Sequence, residues 1–168
     1  MSFFLTGCGK IDVKNSKATS VMTQAPHIEA CNVFTPNMAK ELLGENIVPT
    51  VSKTIHSDKF GSTISSCEYN TSVITSKKNV KMTLLIYYVK NIEESERVFR
   101  DAKDQSNKLA GIEVESINDI GDEAYWSGGK LNQLNVRNKN GWFIISSDQS
   151  HVDQKIMALN IAKRIFSK

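Results

Sequence analysis

Apolar and polar positions along this chain change period several times, and each change marks an element. The first block is helical. Thr35-Pro36 opens it, Met38, Leu42 and Leu43 recur on one helix face, and Gly44 closes it. Threonine is a good N-cap, proline loses nothing at the first helical position, and glycine suits a helix end. Period two then takes over. Residues 47–55 read as a strand that Pro49 confines to a sheet edge, and 61–74 alternate loosely through Ile64, Cys67, Tyr69 and Val73. After the polar turn 76–79, residues 80–89 form the strongest strand, with Met82, Leu84, Ile86 and Tyr88 on one face. Its other face (Lys81, Thr83, Leu85, Tyr87) turns apolar toward the end, which predicts cover on both sides there.

The second half repeats the scheme. Asn91 caps a long helix, Glu93 and Glu94 suit its positive N-terminal dipole, and Ile92, Val98, Phe99, Ala102 and Leu109 form its stripe up to Gly111. Strands follow over 112–117, from 123 to 126, over 130–137 and over 142–147. The turn 118–122, Ser127-Gly128-Gly129 and Asn140-Gly141 separate them, the last being the strongest hairpin signal in the chain. A final helix over 150–166 carries Val152, Ile156, Leu159, Ala162 and Phe166 inward, with Lys163 and Arg164 at its C-terminal dipole. Helix, strands, helix, strands, helix, with hairpins in the second strand group, predict an α+β fold. It is one mainly antiparallel β-sheet with helices packed on it.

Ahead of the first helix the periodicity disappears. Residues 9–28 are mostly small, polar or charged, with one proline, Pro26. They read as a flexible tether of ~20 residues with a typical reach of ~25 Å. Upstream stands Leu5-Thr6-Gly7-Cys8 behind Phe3-Phe4. This resembles the lipobox of bacterial lipoproteins. The resemblance implies that Cys8 is acylated with palmitate-type chains and that the chain is cut just before it. Residues 1–7 are then the remnant of a signal peptide, 8–28 the lipidated cysteine and tether, and 29–168 a single globular domain. A secretory signal has a basic start and an apolar run of about 7–15 residues. Only Met1-Ser2-Phe3-Phe4 precede Leu5, so the rest of that signal is expected further upstream. Each buried CH₂ contributes ~0.8 kcal/mol, so the several chains of a bacterial lipoprotein make a durable membrane anchor. Gly9, rather than Asp, after the anchor cysteine implies outer-membrane sorting, facing the periplasm, if the cell is Gram-negative.

Composition narrows the classes. A 40% hydrophobic and 23% charged chain is ordinary for a globular domain. Twenty-one basic against 18 acidic residues, a net charge of +3, leave no nucleic-acid footprint. Lys77-Lys78 with Lys81 is the densest basic spot and reads as a solvated turn. No run approaches the ~18 apolar residues of a membrane span, so the expected membrane contact is the lipid. The three cysteines fit the same picture. With Cys8 acylated, Cys31 and Cys67 remain, and an oxidising compartment joins such a pair. The alternative is two separate buried thiols, each acting as a small hydrophobe.

Catalytic signatures are missing. The chain contains no GxSxG, HExxH, CxxC or phosphate-binding GxxxxGK[ST] sequence. His27, His56 and His151 lie in the tether or at predicted element ends, and Asp119, Asp122 and Glu123 read as turn-forming carboxylates rather than calcium ligands. The expectation is a non-enzymatic protein with no cofactor and no metal. The most distinctive internal stretch is Gly121-Asp122-Glu123-Ala124-Tyr125-Trp126. Tyr125 and Trp126 point to opposite faces of their strand. One packs into the core. The other, with Trp142 across the hairpin, is a candidate contact for a ligand or partner.

These pieces occur together elsewhere. Cys31, Leu42-Leu43-Gly44, Cys67, the Gly121-to-Tyr125 turn, Asn135-Val136-Arg137 and Asn140-Gly141 resemble bacterial lipoprotein domains of unknown function. Such domains are similar to the PsbP-like α/β/α sandwich. The resemblance spans about residues 29–166 and implies an envelope protein that binds a lipid-like ligand or a protein partner. An immunity or inhibitor lipoprotein that blocks a periplasmic toxic effector or hydrolase is the alternative.

Overall fold

The computed structural model of the protein describes residues 28–44, 47–57, 62–71, 80–109, 111–148 and 153–166. Four helices and seven strands run through them: α1 (Ala30–Val33), α2 (Pro36–Leu43), β1 (Ile47–Ser57), β2 (Ser62–Thr71), β3 (Lys81–Tyr88), α3 (Ile92–Lys108), β4 (Val114–Ile117), β5 (Glu123–Ser127), β6 (Gln133–Asn138), β7 (Gly141–Ser147) and α4 (Gln154–Phe166). The strands form one antiparallel sheet in the order β1-β2-β3-β7-β6-β5-β4. Two meanders build it. β1 to β3 follow one another, α3 carries the chain to the far edge, and β4 to β7 return until β7 pairs with β3. The α+β class is the one the sequence pattern predicts.

Local chemistry explains the element ends. Thr35 Oγ1 accepts the Met38 N–H at 3.3 Å with Pro36 in the first turn, and Gly44 leaves α2 at φ +97°. Asn91 Oδ1 accepts the Glu94 N–H at 2.8 Å to start α3. β1 lies at the sheet edge, and its register shifts between Pro49 and Val51, as a strand with an internal proline requires. The β6–β7 hairpin falls one residue earlier than the Asn-Gly signal. Its loop is Lys139-Asn140, with Asn138 opposite Gly141 and Lys139 at φ +54°. Gly141 serves packing instead: a Cβ there would meet the Phe143 and Tyr88 rings at 2.9 and 3.2 Å.

One face of the sheet, the core face, is covered by α1, α2 and α4. Cys67, Tyr69, Met82, Leu84, Ile86, Ala124, Trp126, Leu134, Val136, Phe143 and Ile145 point into it, and Phe34, Ala39, Ala158, Ile161 and Ala162 come down from the helices. Arg164 of α4 pairs with Glu41 of α2 at the solvent side of this layer. The opposite face carries α3. Helices therefore lie on both sides of the sheet.

Two helix stripes differ from the sequence expectation for one reason. In α3 the buried residues are Ser95, Phe99 and Ser106, while Ile92 and Leu109 are exposed. In α4 they are Ala158, Ile161 and Ala162, while Ile156 is exposed and Val152 lies outside the described residues. Small side chains let each helix sit close to the sheet, and a search for large apolar residues passes over them. In β2 the inward set is Ser65, Cys67, Tyr69 and Thr71, which puts Ile64 on the other face. The one-turn helix α1 has no sequence signal of its own. Its Ala30 N–H donates to Ser65 Oγ at 2.9 Å, and Tyr69 Oη donates to the Phe34 carbonyl just after it at 2.9 Å.

Candidate functional site

Cys31 on α1 and Cys67 on β2 stand at disulfide distance, with sulfurs 2.13 Å and Cα atoms 5.0 Å apart. The link pins α1 to the sheet beside the Phe34–Tyr69 edge-to-face pair, whose ring centroids are 5.0 Å apart. Cys8, His27 and His151 lie outside the described residues, and His56 is placed only as part of β1.

The three aromatic candidates separate. Trp126 is on the core face among Leu134 and Val136 and is buried. Tyr125 is on the α3 face, 1% exposed, beneath Phe99 at a centroid distance of 5.0 Å. Burial pushes its hydroxyl up to about 12, with the nearby Glu123 carboxylate raising it further and a hydrogen bond with Ser106 opposing. Both rings are therefore packing residues. Trp142 is different. It is half-buried, its indole N–H donates to Asn135 Oδ1 at 3.2 Å, and its ring stacks on Tyr87 at 5.3 Å with an interplanar angle of 28°. Phe99 meets it edge-on at 6.2 Å. Asn135 is itself fully buried and its amide reaches toward Ser127 Oγ at 3.5 Å. A buried polar chain thus fixes the tryptophan at the border where cover by α3 stops.

The Gly121-Asp122 turn holds this border together. Asp122 Oδ2 accepts the Lys139 N–H at 2.6 Å and faces Arg137 Nη1 at 3.4 Å, while the Asp122 N–H donates to the Arg137 carbonyl at 2.8 Å. Gly121 sits at φ +64°, and a Cβ there would meet that same carbonyl at 2.6 Å. The carboxylate is committed to the β5–β6–β7 corner, and Arg137 is buried between Asp122 and Glu96 of α3.

Beyond Trp142 the sheet is open. α3 packs on β4, β6 and β7. Over β1, β2, β3 and the near side of β7 the register aligns side chains in rows on the α3 face. Ile55, Ile64, Tyr87 and Trp142 make one row, Leu85 and Ile144 the next, and Glu68, Thr83 and Ser146 the third. Ile55 is 45% exposed and the rest are half-buried. Lys81 pairs with Glu68 at 2.6 Å below them. At this lower end Lys81, Thr83, Leu131, Ser146, Ser147 and Asp148 line an open depression of about 340 Å³. A second open depression of about 420 Å³ lies at Asn91, Ile92, Glu93 and Asn140. The apolar rows are the surface that the sequence reading left unassembled. Its one signal was the second face of β3, where Leu85 and Tyr87 replace polar residues.

Comparison with protein-family models, with curated proteins and with solved structures returns no match.

Proposed function

We propose that the chain is a membrane-anchored envelope lipoprotein whose domain is a non-enzymatic binding module, engaging a protein partner or hydrophobic ligand through the open half of the α3 face. The observation that carries the reading is the contiguous apolar set Ile55, Ile64, Leu85, Tyr87, Ile144 and Trp142 on four neighbouring strands. Single exposed apolar residues are ordinary on any protein, whereas a contiguous set marks a contact surface. Trp142 and Tyr87 supply the rigid aromatic area that contact surfaces favour. The two depressions are open rather than enclosed, which supports contact across a surface over engulfment of a small lipid. Sheet layering with helices on both faces suits the PsbP-like resemblance, and the Cys31–Cys67 pair suits an oxidising envelope.

Two measurements test this reading. Cells carrying the full-length gene are labelled with an alkyne palmitate analogue and fractionated. Label and membrane partition should both be lost in Cys8→Ala, and a soluble cytosolic product with reduced cysteines would overturn the anchor. Purified protein and Ile144→Glu are then compared for recovery of bound lipid or protein from envelope extract by native mass spectrometry. Equal recovery by both would remove the open face from the account.

A further inference from the structure

Connectivity gives α3 a direction. It leaves the top of β3 beside Val89 and Asn140 and ends where Gly128 meets Glu113, at the bottom of β4 and β5. It therefore crosses the sheet on a diagonal. The open apolar set runs on the same diagonal: Ile55 and Ile64 in the upper row, then Leu85 and Ile144 one row lower, toward Leu131. The wall on that side of α3 is apolar too. At 100° per residue from the inward Phe99, the flank bearing Glu96 and Lys103 faces Arg137 and Glu123, which leaves Val98 and Leu109 toward the open half. Leu109 is 54% exposed and Leu131 38% exposed. The surface is thus a trough with an apolar floor, one apolar wall and a polar lower end.

We infer that this trough docks an amphipathic helix of a protein partner, lying alongside α3. The inference rests on the binding-module reading and names its partner. Dimensions favour it. The floor crosses three strand spacings of ~4.8 Å, about 14 Å, and a helix about 10 Å wide and three turns long, roughly 16 Å, covers it. The core face shows the same solution within the chain, where α2 and α4 lie over the two halves of the sheet. A second copy fits poorly, because a stable dimer buries ~800 Å² per partner and a trough one helix wide offers far less. An acyl chain would leave the row of Glu68, Thr83 and Ser146 without use, whereas the polar flank of a helix lies over it.

The test places the photo-crosslinker p-benzoylphenylalanine in turn at Ile64, Leu85 and Ile144 of the full-length anchored protein in its own envelope, with exposed Arg100 as control. Adducts from the three positions should map to partner residues spaced by three, four or seven, and Ser146→Arg, or Ile144→Glu when probing from 64 or 85, should lower adduct yield at least tenfold with an unchanged circular dichroism spectrum. Partner residues spaced by two would overturn the helix and leave the binding surface standing. Adducts to a second copy or to lipid alone would overturn it likewise. Absence of adducts at all three positions would overturn both readings.

Discussion

Leu84 and Leu85 are adjacent in β3 and chemically identical, yet they belong to different parts of the molecule. Leu84 is fully buried between Cys67 and Ile145 on the core face. Leu85 is half-buried between Ser66 and Ile144 on the α3 face, beyond the helix. One face holds the fold together and is closed by three helices. The other is closed over one half only, and its open half carries apolar side chains that contribute little to folding. Apolar residues retained where they add little stability are the signature of a surface shaped by something other than the fold.

The sharpest way to break this comparison is to put the same charge at both positions. Leu84→Glu buries a carboxylate with no cation near it, at a cost expected to reach 5 kcal/mol or more, comparable with the whole stability of an ordinary domain. Far-ultraviolet circular dichroism and urea titration at neutral pH should report an unfolded chain. A folded Leu84→Glu would mean that the two faces are not as different as their burial implies.

The clasp on the core face comes next. Joining residues 36 positions apart is worth about 4 kcal/mol in the chain-entropy model. Reduction with a dithiol should lower the urea midpoint accordingly. Amide exchange should rise first in residues 30–43, because α1 and α2 then depend on Phe34, Ala39 and the Tyr69–Phe34 hydrogen bond alone among their core contacts. Uniform acceleration across β5 to β7 would contradict a local clasp.

Alkaline pH probes both faces together. Burial raises Tyr125 under α3 and Tyr88 at the core face to about 12 from 10. A phenol whose folded value is raised stabilises the fold fully below its unfolded value, and that contribution is lost as pH climbs through the folded one. Stability should therefore be flat up to about pH 10 and fall between pH 10 and about 12. For Tyr125, which is 1% exposed, the loss is on the order of 2–3 kcal/mol. Tyr125→Phe should flatten part of this slope, and an unchanged slope in that variant would show that Tyr125 is not held in a dry site.

Which features could be read without coordinates follows from the size of their side chains. The alternation of Met82, Leu84, Ile86 and Tyr88, the Thr35-Pro36 start and the Asn91 cap are carried by distinctive residues at fixed spacing, and each stands where the pattern puts it. The packing of α3 and α4 rests on Ser95, Ser106, Ala158 and Ala162, whose smallness matters and whose hydrophobicity is slight. The aromatic site was half legible. Tyr125 and Trp142 do share a cluster, through Phe99, which no local spacing announces. The open apolar rows are assembled from β1, β2, β3 and β7, up to 89 positions apart between Ile55 and Ile144, and one strand at a time they look like ordinary alternation.

The smallest expected effect is the most informative about that surface. Leu85→Glu adds a carboxylate on the same strand as the fatal change, one residue along. Its side chain reaches water beside Ser66, and Lys81, two rows away on the same strand face, lies on that side of the sheet. Surface substitutions of this kind usually stay within about 0.5 kcal/mol, and loss of partial cover by neighbours allows about 1 kcal/mol here. The urea midpoint should therefore barely move while contact through the trough is lost. A Leu85→Glu protein as unstable as Leu84→Glu would mean that the α3 face is closed over its whole width and that the trough is interior.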